Sequence, residues 1–276
     1  MTHRRALTVA GSDVSGGAGI AADLKMFNEY GVFGASVLTC IVTFDPAEGF
    51  DHTIDFTSPE SVIRQFDSTL GIHRFHAVKS GMLGSVDTAP MLAERLRDID
   101  APYVFDPVLT YKGTGKGVID LSQMMLETYV PAASVMTPNL DEAAKLVGAD
   151  SLDSVEDMTA AAKQLHTLGA ASVVVKGGAR FPGPDAVDVF YDGSEVHVLR
   201  SRKVNDELVN GAGCSFASSI AAGLALGHKP LDAVVSAKVK VAHGIARSMP
   251  NAMGVNSMFH PAARVWPHPD VAVTVS

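Results

Sequence analysis

The sequence predicts an α/β protein of three layers, α/β/α, built around a mostly parallel central sheet. Short apolar runs rich in β-branched residues alternate with longer amphipathic patterns along nearly the whole chain. This alternation is typical of parallel strands that are joined by helical crossovers. The Asp192-Gly193 pair between two apolar runs predicts an antiparallel hairpin at one edge of the sheet. No internal repeat or linker-like stretch interrupts the pattern, so we expect residues 1–276 to form a single domain.

The spacing of apolar residues predicts each element in turn. Strands are expected where a short apolar run is bounded by turn residues, at residues 6–10, 36–43, 77–79, 103–105, 134–136, 172–175, 186–191 and 195–199. Helices are expected where apolar residues recur at helical spacing, at residues 20–30, 59–70, 86–96, 138–147, 155–168, 213–226 and 231–247. Gly169 suits the left-handed position that ends a helix. The segment after Pro250 is predicted to be irregular.

Composition excludes several classes of protein. The chain has 276 residues, 47% hydrophobic and 19% charged, with a formal net charge of −8 at pH 7. These values predict a folded protein with a large core, and the negative charge disfavours binding to nucleic acid or to an anionic membrane through overall charge. The N-terminal apolar run is too short for a signal peptide, and residues 215–227 are too few to span a bilayer. With two cysteines, we expect a reducing, cytoplasmic location.

Ligands of open parallel sheets bind beyond the carboxyl ends of the strands, and four such loops contain unusual residues. The first loop, residues 11–19, contains Ser12, Asp13 and Gly19. Its glycines allow a ligand to approach the backbone closely, and the N-terminus of the following helix favours anions. Because the G-x-G-x-x-G spacing of dinucleotide-binding folds is absent, the segment is either another kind of anion-binding loop or a plain turn.

The second loop begins with Asp106, directly after strand 103–105. A carboxylate at a strand end can bind magnesium or a substrate hydroxyl, or it can simply cap the loop. The following glycines and lysines, residues 112–117, do not have the register of a P-loop, and we interpret them as a Gly-rich lid.

The third loop contains Asn139 and Glu142, which have the spacing of a capping box at the start of a helix. The alternative is that they organise magnesium-bound water near a phosphate. Lys176 and Gly178 follow strand 172–175 and place a cation at another strand end, unless the lysine is simply solvated.

The fourth loop, residues 210–216, opens a long helix with Gly211, Ala212 and Gly213. Successive small residues expose backbone N–H groups at a helix N-terminus, which predicts an anion hole for phosphate. Cys214 lies in the first turn, where the helix field is expected to lower the pKa of its thiol, unless it is a small buried hydrophobe. Cys40, within an apolar strand, is expected to pack in the core.

Six blocks together resemble the ribokinase-like superfamily, in particular its branch of hydroxymethylpyrimidine kinases and related pyridoxal kinases. In order along the chain they are AGSDVSGGAGIAADLK (residues 10–25), KSGML (79–83), DPV (106–108), TPNLDEA (137–143), KGG (176–178) and GAGCSFA (211–217). The resemblance extends from Leu7 to about Arg247 and covers nearly the whole chain.

The resemblance implies transfer of the γ-phosphoryl group of ATP to a primary alcohol on a six-membered nitrogen heterocycle. Gly211, Ala212 and Gly213 would stabilise the transferring group, and the Cys214 thiolate would take the proton from the hydroxymethyl group. The remaining roles that the resemblance implies are Mg²⁺ and phosphate binding by Asp106, Asn139 and Glu142, nucleotide binding by Lys176 and Gly178, and substrate binding by Ser12, Asp13, Gly19 and Met82. It also implies a homodimer.

Phe44 favours pyridoxal as the substrate. Hydroxymethylpyrimidine kinases usually have a glutamine at this position, and an amide can form paired hydrogen bonds with an aminopyrimidine edge, whereas Phe44 can only pack or stack. The alternatives are a hydroxymethylpyrimidine or hydroxymethylpyrimidine-phosphate kinase, and a non-catalytic binding protein on the same fold. The chain departs from the family's pattern at Val209-Asn210, where Thr-His is usual, and at Tyr111, a substrate-side lid position where related pyridoxal kinases often have a cysteine. Phe44 is also larger than the methionine expected in those kinases.

Overall fold

The computed structural model describes residues 3–109, 120–204 and 207–276, and one sheet of ten strands runs through it. The strands are β1 (Arg5–Asp13), β2 (Phe33–Asp45), β3 (Asp51–Phe56), β4 (Ala77–Ser80), β5 (Tyr103–Phe105), β6 (Val135–Met136), β7 (Val173–Gly178), β8 (Asp185–Tyr191), β9 (Val196–Arg202) and β10 (Thr274–Val275). Their order across the sheet is β10-β9-β8-β7-β6-β5-β4-β1-β2-β3. In this order, neighbouring strands from β7 across to β2 pair in parallel. At one edge β3 pairs antiparallel with β2, and at the other edge β8, β9 and β10 each pair antiparallel with the strand before them in the sequence.

Helices cover both faces of this sheet. They are α1 (Gly19–Glu29), α2 (Pro59–Ile72), α3 (Thr88–Arg97), α4 (Ser122–Met124), α5 (Leu140–Val147), α6 (Val155–Thr167), α7 (Ala212–Ala225), α8 (Pro230–Ala246) and α9 (Ala262–Val265). Phe27 of α1 and Ile220 of α7 share one apolar core with Val104 of β5, and α8 joins the same face. Phe66 of α2 and Phe105 of β5 belong to the core on the opposite face, together with α3, α5 and α6. The predicted three-layer class, the mostly parallel sheet and the edge hairpin are therefore confirmed.

Local signals explain where several helices begin and end. Ser58 caps α2 by accepting a hydrogen bond from the Ser61 N–H, with Pro59 in the first turn. Ser154 caps α6 through a capping box with Asp157, and α5 ends at Gly148 in the left-handed region. None of the helices in the described ranges has the length and apolar character that crossing a membrane requires.

The structure corrects the sequence prediction mainly at the edges of the sheet. Strand β3 was not predicted, because Ile54 is the one buried residue in its six and only Ile54 and Phe56 are apolar. Strand β10 was missed because both of its residues are exposed. Strand β1 continues through Asp13, so the first part of the predicted 11–19 loop is extended strand. The helical turns over 122–132 were also missed.

Candidate active site

Two glycine loops meet where α1 and α7 begin. Gly211 has a φ of +84°, and a Cβ atom built on it would lie 1.8 Å from the Gly17 carbonyl oxygen. Gly19 has a φ of +59°, and its Cβ would lie 2.1 Å from the Gly11 carbonyl oxygen. Only glycine fits at these two positions, because a side chain would collide with the other backbone and its conformation would be strained. The close contact fixes the 11–19 loop against the 210–213 loop.

Asp13 holds these loops together. Its carboxylate accepts hydrogen bonds from the Ser15 N–H at 2.7 Å, the Ala18 N–H at 3.1 Å and the Asn210 Nδ2 at 3.1 Å. Asp13 is buried, and Ser12 beside it forms a bridge with Gly19. The structure therefore shows Asp13 as the residue that shapes the loop. Asn210, at a position where the family usually has histidine, supplies one of its three hydrogen bonds.

Cys214 lies half-buried in the first turn of α7, next to the start of α1. Its thiol accepts a hydrogen bond from the Gly19 N–H. Burial raises the pKa of this thiol, Asp23 and Asp106 add to the rise, and the Lys79 ammonium opposes it. Desolvation of the thiolate therefore outweighs the lowering expected from the helix field, and the net shift of the Cys214 pKa is upward, contrary to the expectation.

Lys176 and Asp106 form an ion pair at the carboxyl ends of β7 and β5. Asp106 Oδ1 accepts hydrogen bonds from the Lys176 ammonium at 2.8 Å and from the Thr137 hydroxyl at 2.8 Å. Burial alone would lower the pKa of Lys176, but Asp106 and Glu142 outweigh it and the pKa is raised. A Cβ built on Gly213 would lie 3.6 Å from Lys176 Nζ, so this cation borders the 211–214 loop. The pair thus brings positive and negative charge to the proposed phosphate site.

Asn139 and Glu142 form the capping box of α5. The Glu142 N–H donates to Asn139 Oδ1 at 2.9 Å, and the Asn139 N–H donates to Glu142 Oε2 at 2.8 Å. The structural interpretation of this motif is therefore confirmed. The pKa of Glu142 is raised to about 7, chiefly by burial; Lys176 opposes this rise and Asp106 contributes to it. A carboxyl group in this state gains a proton easily, and a nearby cation would favour its charged form.

The oxygen atoms present fit a magnesium ion that is shared with phosphates. Asp106 Oδ2 and Glu142 Oε1 accept no hydrogen bond from the described residues. Mg²⁺ commonly takes one or two carboxylates together with water and substrate phosphates, rather than a complete protein cage. In the described ranges, no group of three or more His, Cys, Asp and Glu side chains is placed to hold a metal without such help.

Phe44 and Met82 lie near the 11–19 loop: Phe44 lines a cavity together with residues 14–17, and Met82 Sδ lies 3.5 Å from a Cβ built on Gly11. Phe44 is a half-buried residue of β2, and its ring lies 6.3 Å from the His52 ring of β3 across the strand pair. Met82 contacts Cys40, with 3.2 Å between the two sulfur atoms. A Cβ built on Gly11 would lie 2.6 Å from the Cys40 sulfur, so Gly11 leaves the space that this sulfur occupies. Cys40 is fully buried, as expected, and burial raises its pKa to about 11.

Two cavities border the two glycine loops. The larger, about 740 Å³, lies between the 14–17 loop, Phe44 and residues 249–264. The smaller, about 260 Å³, is lined by Lys176, the glycines that follow it, Gly213 and residues of β8, β9 and α8. Size does not decide between them, because the larger cavity contacts neither Cys214 nor Lys176. The smaller has the charge and the glycine backbone that a nucleotide phosphate requires.

Three buried polar clusters near the site were not predicted. The first joins Lys79 to Asp23, the second joins Lys238 to Asp188, and the third joins His260 to Ser215. For the two ion pairs, the signal in the sequence was a lysine or an aspartate inside a largely apolar strand or helix, whereas the contact between His260 and Ser215 had no such signal. Tyr111 and the lid at residues 112–117 lie outside the described residues.

Comparisons with known proteins identify the family of the chain. The sequence model of the phosphomethylpyrimidine kinase family matches residues 13–259. The chain belongs to that family. It is 38% identical over 267 residues to the pyridoxine kinase of Bacillus subtilis, covering 96% of this chain and 98% of the relative. It is also 40% identical over 259 residues to a hydroxymethylpyrimidine/phosphomethylpyrimidine kinase of Streptomyces coelicolor, covering 92% and 93%.

A solved structure is similar over the whole chain. The pyridoxal kinase of Staphylococcus aureus in complex with AMP-PCP and pyridoxal gives a TM-score of 0.92 at 34% identity, covering 100% of this chain and 99% of that one. Family membership makes the chain a kinase of the ribokinase-like fold. Relatives named pyridoxine kinases or putative pyridoxine kinases match at 36–43% identity over most of the chain.

Proposed function

We propose that this protein is an ATP-dependent pyridoxal kinase, which phosphorylates the 5-hydroxymethyl group of pyridoxal and also accepts pyridoxine and pyridoxamine. The observation that carries the choice of acceptor is Phe44, a hydrocarbon ring on the strand that borders the substrate side. A site built to read an aminopyrimidine edge needs a hydrogen-bonding side chain, and its loss costs far more discrimination than a change of apolar contacts. The Bacillus subtilis and Staphylococcus aureus relatives support the same acceptor. Such an enzyme serves vitamin B6 salvage.

In the proposed reaction, Cys214 is the general base. Its thiolate takes the proton of the hydroxymethyl group while that oxygen attacks the γ-phosphorus of ATP; the bond from this phosphorus to the β,γ-bridging oxygen breaks, and ADP leaves. The N–H groups of Gly211, Ala212 and Gly213 would donate to the oxygens of the transferring group, with the N-terminus of α7 behind them. Positioning and charge stabilisation supply most of the catalysis in phosphoryl transfer.

Lys176, Asp106 and Glu142 would bind the phosphate end of the nucleotide. Lys176 neutralises phosphate charge directly, and Gly178 leaves the backbone after it open. Asp106 and Glu142 would hold Mg²⁺ together with the phosphates, with Asn139 orienting Glu142 through the capping box. Bound magnesium supplies charge neutralisation of the phosphates.

The test is a kinase assay with ATP and Mg²⁺ on pyridoxal, pyridoxine and hydroxymethylpyrimidine, comparing kcat/KM on each, for the natural chain and for Phe44→Gln. We expect a preference for pyridoxal, and we expect Phe44→Gln to shift the ratio toward the pyrimidine by roughly tenfold or more, because it restores an amide. His52→Gln is the control, since it places the same amide on the neighbouring strand. A pyrimidine preference in the natural chain would overturn the choice of acceptor. Ligand binding without any phosphorylated product would favour a non-catalytic binding protein.

Hydroxymethylpyrimidine phosphorylation is the second candidate function. It is favoured by the 40% identical relative from Streptomyces coelicolor. A homodimer, a cytoplasmic location and a single domain over residues 1–276 stay predictions. Gel filtration with light scattering would test the dimer.

A further inference from the structure

A buried ion pair lies below the two glycine loops. Lys79 of β4 and Asp23 of α1 are both fully buried, and 2.9 Å separates Lys79 Nζ from Asp23 Oδ2. The Thr8 hydroxyl of β1 donates to the same carboxylate oxygen at 2.6 Å. Removing two charges from water is costly, and apolar residues of similar volume are often at least as stabilising as a buried pair. The pair therefore needs a reason beyond packing.

The hydrogen bonding of this pair is incomplete. Asp23 Oδ1 is buried and has no hydrogen-bond partner among the described residues. Lys79 donates to Asp23 alone among those residues, and its ammonium lies so close under Gly81 that a Cβ there would be 2.9 Å from Nζ. An unsatisfied buried oxygen costs about 1–3 kcal/mol. A pair that served stability alone would be better satisfied than this one.

The position of the pair connects it to Cys214. Gly19, whose N–H donates to the Cys214 thiol, begins the helix that contains Asp23 one turn later. Strand β4, which carries Lys79, packs against α7, which carries Cys214. The charged groups that act on the thiol are Lys79 from β4, Asp23 from α1, Asp106 after β5 and Lys176 from β7.

Lys79 has the strongest effect of the charged groups on the thiol. It lowers the pKa of Cys214 by more than Asp23 raises it. Burial alone would lower the pKa of Lys79, but Asp23, Cys214 and Asp106 outweigh burial, so the pKa is raised and Lys79 remains a cation. Burial raises the pKa of Asp23, and the Lys79 ammonium opposes that rise. At the Cys214 thiol, the effect of the positive member of the pair outweighs the effect of the negative member.

We propose that Lys79 is a positioning residue for phosphoryl transfer: its buried ammonium, held by Asp23 beneath the two glycine loops, stabilises the thiolate of Cys214. This inference rests on the proposed role of Cys214 as the general base. It assigns to Lys79 and Asp23 an electrostatic role that neither the loops nor the nucleotide contacts supply.

The test replaces both charges together. In Lys79→Met/Asp23→Leu the pair becomes apolar, which is the change that buried pairs tolerate best. The rate of Cys214 alkylation by iodoacetamide is followed against pH, and peptide mass spectrometry separates Cys214 from the buried Cys40. We expect the midpoint to rise by roughly 0.5–1 pH unit, because a net positive neighbour is lost. At neutral pH we expect kcat to fall by about threefold to tenfold, in step with the thiolate fraction, while KM for ATP is unchanged.

Thr8→Val is the matched control, because it removes the third hydrogen-bonding group of the cluster without changing a charge. It should lower the thermal midpoint and leave the alkylation midpoint where it is. A wild-type alkylation midpoint in the folded double variant would overturn the proposal.

The remaining outcomes are also decisive. If the apolar double variant does not fold, Lys79→Gln/Asp23→Asn, which keeps hydrogen bonding, carries the same expectation. Failure of both variants to fold would assign the pair to stability and overturn the proposal. The last outcome combines a shifted alkylation midpoint in the double variant with a near-normal kcat in Cys214→Ala. It would support the effect of Lys79 on the thiol and contradict the role of Cys214 as the general base. The two failures are therefore distinguishable.

Discussion

Replacing Asp188 with asparagine should weaken ATP binding selectively. Asp188 lies in β8 at the base of the smaller cavity, and one of its oxygens accepts the Gly177 N–H at 3.0 Å and the Gly178 N–H at 3.4 Å. The other oxygen accepts the Lys238 ammonium at 2.7 Å. Both residues are 4% exposed. This one carboxylate therefore fixes the turn that directly follows Lys176.

The expected size follows from these contacts. Asp188→Asn replaces the carboxylate oxygen that accepts from the two N–H groups with a neutral amide oxygen, which is a weaker acceptor, and it leaves the Lys238 charge without its counter-ion. Removing one partner of a buried pair costs about 3–5 kcal/mol, and we expect a loss of stability near the lower end because the Ala186 carbonyl still accepts from Lys238 at 3.0 Å. If the turn holds Lys176 less firmly, the contact of Lys176 with the nucleotide phosphates should weaken. We expect ATP binding to lose on the order of 1.4 kcal/mol, which corresponds to a tenfold rise in KM for ATP.

Steady-state kinetics and urea unfolding separate the two effects. KM for ATP should rise while KM for pyridoxal and kcat change by less than about twofold, because the change lies on the nucleotide side. Asp185→Asn, the same substitution at the start of β8, should change none of these values. Asp188→Leu/Lys238→Met should recover stability and still show the raised KM, since the N–H groups of the turn have lost their acceptor. A wild-type KM for ATP in folded Asp188→Asn would refute the reasoning and leave Asp188 as a core residue.

Three further substitutions test the remaining parts of the site. Cys214→Ala should lower kcat by roughly 10²–10⁴-fold with little change in KM for ATP, and a near-normal kcat would reduce the thiol to packing. Gly211→Ala should abolish most activity and destabilise the fold, because its Cβ would lie 1.8 Å from the Gly17 oxygen, whereas Gly31→Ala, also at positive φ but with nothing within 4 Å, should cost stability alone. Burial lowers the pKa of His260 to about 4. As the pH falls below about 6.5, His260 therefore becomes protonated in the unfolded chain but stays neutral in the folded chain, which favours unfolding. The free energy of unfolding should therefore be about 2 kcal/mol smaller near pH 5 than near pH 7.5. The His260→Gln variant should lack this loss, and an equal loss in that variant would assign the pH dependence to other groups.

The layers of the fold could be predicted because each central strand is an apolar run of its own. In β5, Val104 faces one core and Phe105 faces the other. Two adjacent apolar residues therefore indicate a strand that is buried on both faces. The edge strands carry no such signal. The sequence of β3 contains Asp51, His52 and Asp55, and it pairs with β2 because the chain turns back there and extends an exposed edge.

The four ligand-facing loops could be predicted because topology alone places the ends of parallel strands together. The pairing of the buried charges could not. Lys79, Asp23, Asp188 and Lys238 each interrupt an apolar segment, but two cations and two anions allow two pairings. Adjacency in space decides between them: β4 lies beside β1 and α1, whereas β8 lies under α8. Partners are separated by 56 residues in one pair and by 50 in the other. Over such separations, spacing along the sequence does not indicate which side chains meet.

The capping box shows why structural and functional interpretations of one motif can both hold. Glu142 Oε2 accepts the Asn139 N–H, so the carboxylate has a fixed orientation before any ligand arrives. Its other oxygen accepts no hydrogen bond from the described residues, and Lys176 and Asp106 act on its charge. A free glutamate would lose side-chain entropy on binding a cation, whereas this one has already lost it when α5 folds. Capping is therefore the physical means by which Glu142 becomes a preorganised ligand, and it strengthens the proposed magnesium role.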